Sequence, residues 1–140
     1  MKKLSLVALL LCLSACSKPI PFTDYIVENL LRDNLENLTQ PPLFELREII
    51  VVEKTDLGDR AEASVDVVLF FPESFETVVK AQQLQPNNMA YKQYRGSFGA
   101  FTAGEQQTHH AHYSFVRDGR KWRISSSRPL AEPTIQRAAE

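Results

Sequence analysis

The sequence predicts an α+β fold, with an N-terminal amphipathic helix packed on a four-stranded antiparallel sheet. Three stretches carry that expectation. From Thr23 to Leu38 apolar residues recur at three-and-four spacing. From Ala61 to Phe71 they alternate with period two, after an Ile- and Val-rich run from Leu43 to Lys54. Around Asp118-Gly119 a third apolar pattern folds back on itself. One helical stripe and two half-apolar hairpins bury one another most simply as two layers.

In chain order, Lys2 and Lys3 precede an apolar run from Leu4 to Leu13, and Leu13-Ser14-Ala15-Cys16 follows. That is the layout of a charged n-region, an h-region and small residues before a cut. A membrane-crossing helix needs about 20 apolar residues, and Ser17-Lys18-Pro19 interrupts this run too early. Leu-Ser-Ala-Cys resembles the lipobox of bacterial lipoproteins. The resemblance implies cleavage before Cys16, acylation of its thiol and of the new amino terminus, and a membrane anchor through Cys16. Ser17, rather than aspartate, after the cysteine implies the periplasmic face of the outer membrane, or the plasma membrane in a Gram-positive source. Domain organisation is then 1–15 signal peptide, 16–22 lipidated cysteine and short tether, 23–127 a single α+β domain, and 128–140 a loose tail.

Of 140 residues, 125 remain after the cut, enough for one core. Formal charge is −1 for the whole chain and becomes −3 once Lys2 and Lys3 are lost. A mildly acidic domain is poorly suited to nonspecific nucleic-acid binding. The two cysteines are Cys12 and Cys16, so the domain has no disulfide, thiolate metal site or cysteine nucleophile. Six residues from Ser17 to Phe22 reach about 20 Å at most, which keeps the domain near the bilayer.

Thr23 suits a helix cap, Asp24 suits the first turn, and Val27, Leu30, Leu31, Leu35 and Leu38 form the stripe that Pro41-Pro42 ends. The polar face is mainly acidic, which points to core packing rather than a headgroup-bound helix. Leu43 to Lys54 and Ala61 to Phe71 form a hairpin through Asp56-Leu57-Gly58-Asp59. The first of these strands has apolar residues at both parities, which leaves its register open. Pro72-Glu73-Ser74 suits the opening of a short second helix, with Phe75, Val78, Val79 and Gln82 on a narrow stripe that ends before Pro86. Between Asn87 and Phe101, Tyr91, Tyr94, Phe98 and Phe101 share a helical spacing that Gly96 and Gly99 oppose. A two-residue turn at Asp118-Gly119 sets Phe115 opposite Trp122 and Tyr113 opposite Ile124, all on one face. Pro129 and Pro133 then mark the tail, with room for one helical turn from Thr134 to Ala139.

This element order, with the closing stretch from Tyr113 to Ile124, resembles small NTF2-like or cystatin-like domains, whose terminal hairpin carries a similar Asp-Gly then Trp signature. That fold hosts enzymes, ligand carriers and assembly modules, so the resemblance implies an architecture and no activity.

Candidate chemistry is sparse. His110 and His112 share a strand face and are weak candidates for a transition metal, but two imidazoles fall short of the three or four ligands zinc requires. They are expected to be partly solvated beside Ser125 and Ser127, with His109 on the other face. Arg117, Arg120, Lys121 and Arg123 crowd the hairpin tip, a local positive patch for an acidic partner or lipid phosphates. No Gly-rich phosphate loop, G-x-S-x-G or H-E-x-x-H occurs, and Glu45, Glu48 and Asp66 are not placed in a shared cleft. The leading expectation is a non-catalytic envelope lipoprotein, without cofactor, that works as a binding or assembly module with an envelope protein partner. The alternative is a carrier with a small apolar ligand between helix and sheet, in a pocket lined by Tyr91, Tyr94 and Trp122. An NTF2-like enzyme comes last.

Overall fold

The computed structural model describes residues 18–139. The signal peptide and Cys16 expected from the sequence lie outside them.

Helix α1 spans Asp24–Glu36. Thr23 is its cap, its hydroxyl accepting from the Ile26 amide at 3.3 Å, and Asp24 occupies the first turn where the helix dipole favours an acid. Val27 and Leu31 are fully buried and Ile26, Leu30 and Leu35 partly so, a stripe as wide as the sequence spacing requires. The helix stops at Glu36 with Asn37 as its cap, so Leu38 lies beyond it and is exposed.

Strands β1 (Glu45–Asp56), β2 (Arg60–Phe71), β3 (Glu105–Asp118) and β4 (Lys121–Pro129) follow one another across an antiparallel sheet. A fifth strand, β5 (Thr134–Gln136), pairs with β3 at Gln106–Thr108, beyond the stretch of β3 that β4 covers. The sheet therefore has five strands rather than the four expected. In β1 the register shifts between Leu46 and Glu48 and again between Val51 and Glu53. Each bulge flips the parity, which is why Leu46, Ile49 and Val51 can all turn to the core although no single alternation contains them.

Helices α2 (Phe75–Ala81) and α3 (Met89–Phe98) connect β2 to β3. Ser74 caps α2 by accepting from the Thr77 amide at 3.1 Å. In α3 Tyr94 is buried and Tyr91 and Phe98 pack on the core, while Phe101 follows in the loop. Phe71 gathers these rings, with Phe101 stacked at 4.3 Å, Phe98 at 5.5 Å and Phe44 at 5.9 Å. A second aromatic group closes the far end of the sheet, where Phe22 meets Phe115 at 5.0 Å and Trp122 at 5.1 Å. Each such ring contributes about 1.5–3 kcal/mol of burial, so both ends of the core are tied without a disulfide.

The last hairpin differs from its expected register. Asp118 pairs with Lys121, which makes the turn Gly119-Arg120, with Gly119 at φ 64° and Arg120 at an ordinary negative φ, as a type II′ turn requires. Phe115 therefore faces Ile124, and Trp122 faces Arg117. A slip of two residues preserves parity, so Tyr113, Phe115, Trp122 and Ile124 still share the core face. Residues beyond Ser127, expected as a tail, complete β4 and supply β5. Gly104, at φ 78°, faces that segment so closely that a Cβ on it would stand 2.9 Å from the Ala138 methyl carbon.

Candidate functional site

Between α1, α3 and the sheet lies a cavity of about 610 Å³. Its apolar wall comes from Leu35 of α1, Val67 and Leu69 of β2 and Phe98 of α3. His109 and Tyr113 of β3 add the polar groups, and the strap from Ser127 to Pro133, which is the last part of β4 and its connection to β5, forms the outer wall. Such a volume, mostly apolar with a few convergent polar groups, suits a small ligand. Tyr91, Tyr94 and Trp122 do not line it. Tyr94 and Trp122 are buried, and Tyr91 packs its ring against Phe75 at 5.2 Å.

The inward face of β3 carries a polar string, Glu105-Gln107-His109, at alternate positions ahead of Tyr113 and Phe115. Glu105 and Gln107 are almost completely buried. The Gln107 side-chain amide donates to Glu105 Oε2 at 2.7 Å and to the Phe98 carbonyl at 2.8 Å. Both partners are acceptors, so the amide orientation is fixed and its oxygen must face His109 Nε2, 2.8 Å away. His109 is thus the donor there. Burial pushes its pKa below 6.5, with the neighbouring His110 as a smaller cause. In the neutral ring the other nitrogen is an acceptor, and it has no hydrogen-bond partner among the described residues. Tyr113 is raised above the usual phenol value by burial, so its hydroxyl stays protonated. Arg137, just past β5, sits 3.5 Å from Glu105 Oε1 and offsets the buried carboxylate.

His110 and His112 lie on the opposite face of the sheet from His109, as the strand alternation requires. Their neighbours differ from those expected. His112 stands opposite Arg128, with its Nε2 3.7 Å from Glu62, because the two-residue slip at the turn and a further register shift between Ser114 and Phe115 together displace the serines of β4. His110 lies past the end of the β4 pairing and binds Asp66 through Nδ1 at 2.7 Å and Thr134 through Nε2 at 3.0 Å. Both of its ring nitrogens are engaged. Among the described residues no three His, Cys, Asp or Glu side chains are grouped as metal ligands.

At the hairpin tip Arg117 is engaged through Nε and Nη1. It donates to the Gly58 carbonyl at 3.1 Å and the Ile20 carbonyl at 2.9 Å, and its guanidinium lies 4.3 Å over the Trp122 ring. Trp122 Nε1 donates to the same Ile20 carbonyl at 2.9 Å. Arg123 stands 3.9 Å from Asp118, while Arg120 and Lys121 are exposed without an ion pair among the described residues.

The sequence reading placed His109 on the face opposite His110 and His112 without giving it a role, and passed over Glu105 and Gln107. Their signal was parity alone: counting back in twos from Phe115 and Tyr113 through Ala111 places all three on the buried face. No helix among the described residues is long and apolar enough to cross a membrane. Comparison with protein-family models, curated proteins and solved structures finds no match.

Proposed function

We propose that the chain is an envelope lipoprotein, anchored through Cys16 at the periplasmic face of the outer membrane, whose NTF2-like domain carries a small, mainly apolar molecule with one hydrogen-bond donor. The observation that supports the carrier reading is the cavity of about 610 Å³ between helices and sheet, with His109 on its wall. A neutral imidazole whose first nitrogen is held by Gln107 offers its second to a hydroxyl or amide of the ligand. The apolar wall supplies affinity, and that one contact supplies orientation. Binding needs no catalytic residue, and none is assigned.

The test is to purify the protein from its native membrane and identify what is released on extraction. Ala111 of β3 also lines the cavity, so a small molecule at about one per chain, lost in Ala111→Phe, supports the carrier; equal binding of an apolar fluorescent probe by wild type and Ala111→Phe sinks it. Incorporation of labelled palmitate, abolished in Cys16→Ser, tests the anchor separately.

An assembly module is the second reading, favoured by the open edge of β1. There Ile50 and Val52 are 41% and 62% exposed, apolar residues on a strand with one unpaired side. Photocrosslinking from position 52 to one envelope protein would favour it.

A further inference from the structure

We propose that the end of the sheet bearing the β1–β2 and β3–β4 turns docks on anionic lipid headgroups of the membrane into which Cys16 is inserted, an inference that rests on the lipoprotein reading above. Two observations carry it: where the tether is fixed, and what surrounds that point.

Ile20 is bound at both its backbone groups. Its amide donates to the Arg120 carbonyl at 3.3 Å, and its carbonyl accepts from Arg117 and Trp122, each at 2.9 Å. The free tether therefore ends at Ile20 rather than at Phe22. Four residue steps separate Ile20 from Cys16, a reach of about 14 Å when extended. A sulfur acylated in the bilayer then holds the hairpin tip within that distance of the headgroups, whichever way the rest of the domain faces.

The residues gathered there suit the surface they must meet. Lys18 precedes the pinned residue, Arg120 and Lys121 cross the β3–β4 turn, and Arg123 follows in β4. Arg60 opens β2 beside Val116, in a turn tied to β3 by the Arg117 amide donating to the Asp59 carbonyl at 2.8 Å. With Arg117, and against Asp56, Asp59 and Asp118, these cations leave a local excess of three positive charges, whereas the mature chain as a whole is net negative. Leu57, 57% exposed, projects an apolar side chain from the same end. Cations around an exposed leucine, on a short leash to an acyl chain, match an anionic interface rather than bulk solvent.

The chain's one tryptophan, Trp122, lies at this end and reports on it directly. The experiment uses the full lipidated protein in vesicles of phosphatidylethanolamine, with and without phosphatidylglycerol, carrying a dansyl headgroup acceptor for Trp122 emission. Energy transfer is expected to be about twofold higher on the anionic vesicles and to fall to the zwitterionic level at high salt or with Arg120→Glu plus Lys121→Glu. Equal transfer on both lipids, or transfer unchanged by salt in the wild type, overturns the inference and assigns the cations to solvent or to an acidic protein. The salt titration decides the question even if the charge-reversed variant fails to fold. Protein that floats with neither vesicle and has an unacylated mass overturns the anchor, and this docking with it; protein that floats with both but transfers equally overturns the docking alone.

Discussion

Replacing Gln107 with leucine keeps nearly the same side-chain volume in a site 1% exposed and removes three hydrogen bonds at once. The bond to the Glu105 carboxylate is of the charged kind, about 1.5–3 kcal/mol, and those to the Phe98 carbonyl and His109 are neutral, about 0.5–1.5 kcal/mol each. The leucine regains about 1–2 kcal/mol by apolar burial. The net expectation is destabilisation of about 2–3 kcal/mol, measured by urea unfolding monitored through Trp122. In a domain of this size that is roughly an 8–12 °C fall in Tm. Because Glu105 is left buried with only Arg137 to offset it, Gln107→Leu combined with Glu105→Leu is expected to recover part of the loss. A single Gln107→Leu variant as stable as the wild type would refute the claim that this string is a satisfied buried network, and with it the fixed tautomer of His109.

Three further outcomes follow from the same geometry. His109 titrates lower in the folded protein than the ordinary 6.5, so its neutral form contributes stability that is fully present above about 6.5 and is lost as pH falls through the lower folded value; its ring resonances, followed by NMR, should show the depressed midpoint, and ligand retention should weaken over the same interval. Phe71→Ala removes the ring shared by Phe44, Phe98 and Phe101 and is expected to cost about 3–5 kcal/mol in chemical denaturation. Arg117→Ala removes two hydrogen bonds and the stack on Trp122, for an expected loss of about 1–2 kcal/mol, with faster amide exchange at Ile20 and a red shift of Trp122 emission.

Local patterns were legible wherever one rule acted alone. Thr23, Asp24 and the Val27–Leu31 stripe are cap, dipole and period in agreement, and α1 forms where they place it. Pro72-Glu73-Ser74 likewise leads into α2, with Ser74 as the cap. Legibility failed where two rules competed. Asp118-Gly119 and Gly119-Arg120 are both acceptable turns, and the observed register is the one with Arg117 over Trp122 and both holding Ile20, a contact that no local pattern encodes. In β1 two bulges broke the alternation that would have identified its inward face. Gly96 and Gly99 left residues 87–101 open between a helix and an irregular segment, and Tyr91, Tyr94 and Phe98 found enough core to make Met89–Phe98 a helix that Gly99 ends. The candidate site was the least legible part. Glu105 and Gln107 look like surface residues until β3 is known to begin at Glu105, and Thr134–Gln136 carries too short a pattern to announce a strand.

The strap from Ser127 to Pro133 borders the cavity while contributing nothing to either aromatic cluster, and all of it but Pro133 is exposed. Its composition from Leu130 to Pro133, past the end of β4, can therefore drift with little penalty to folding, provided β4 and β5 keep their grip on β3. Selection could retune which molecule fits while leaving the scaffold untouched, and an engineer could randomise the same four positions for the same reason.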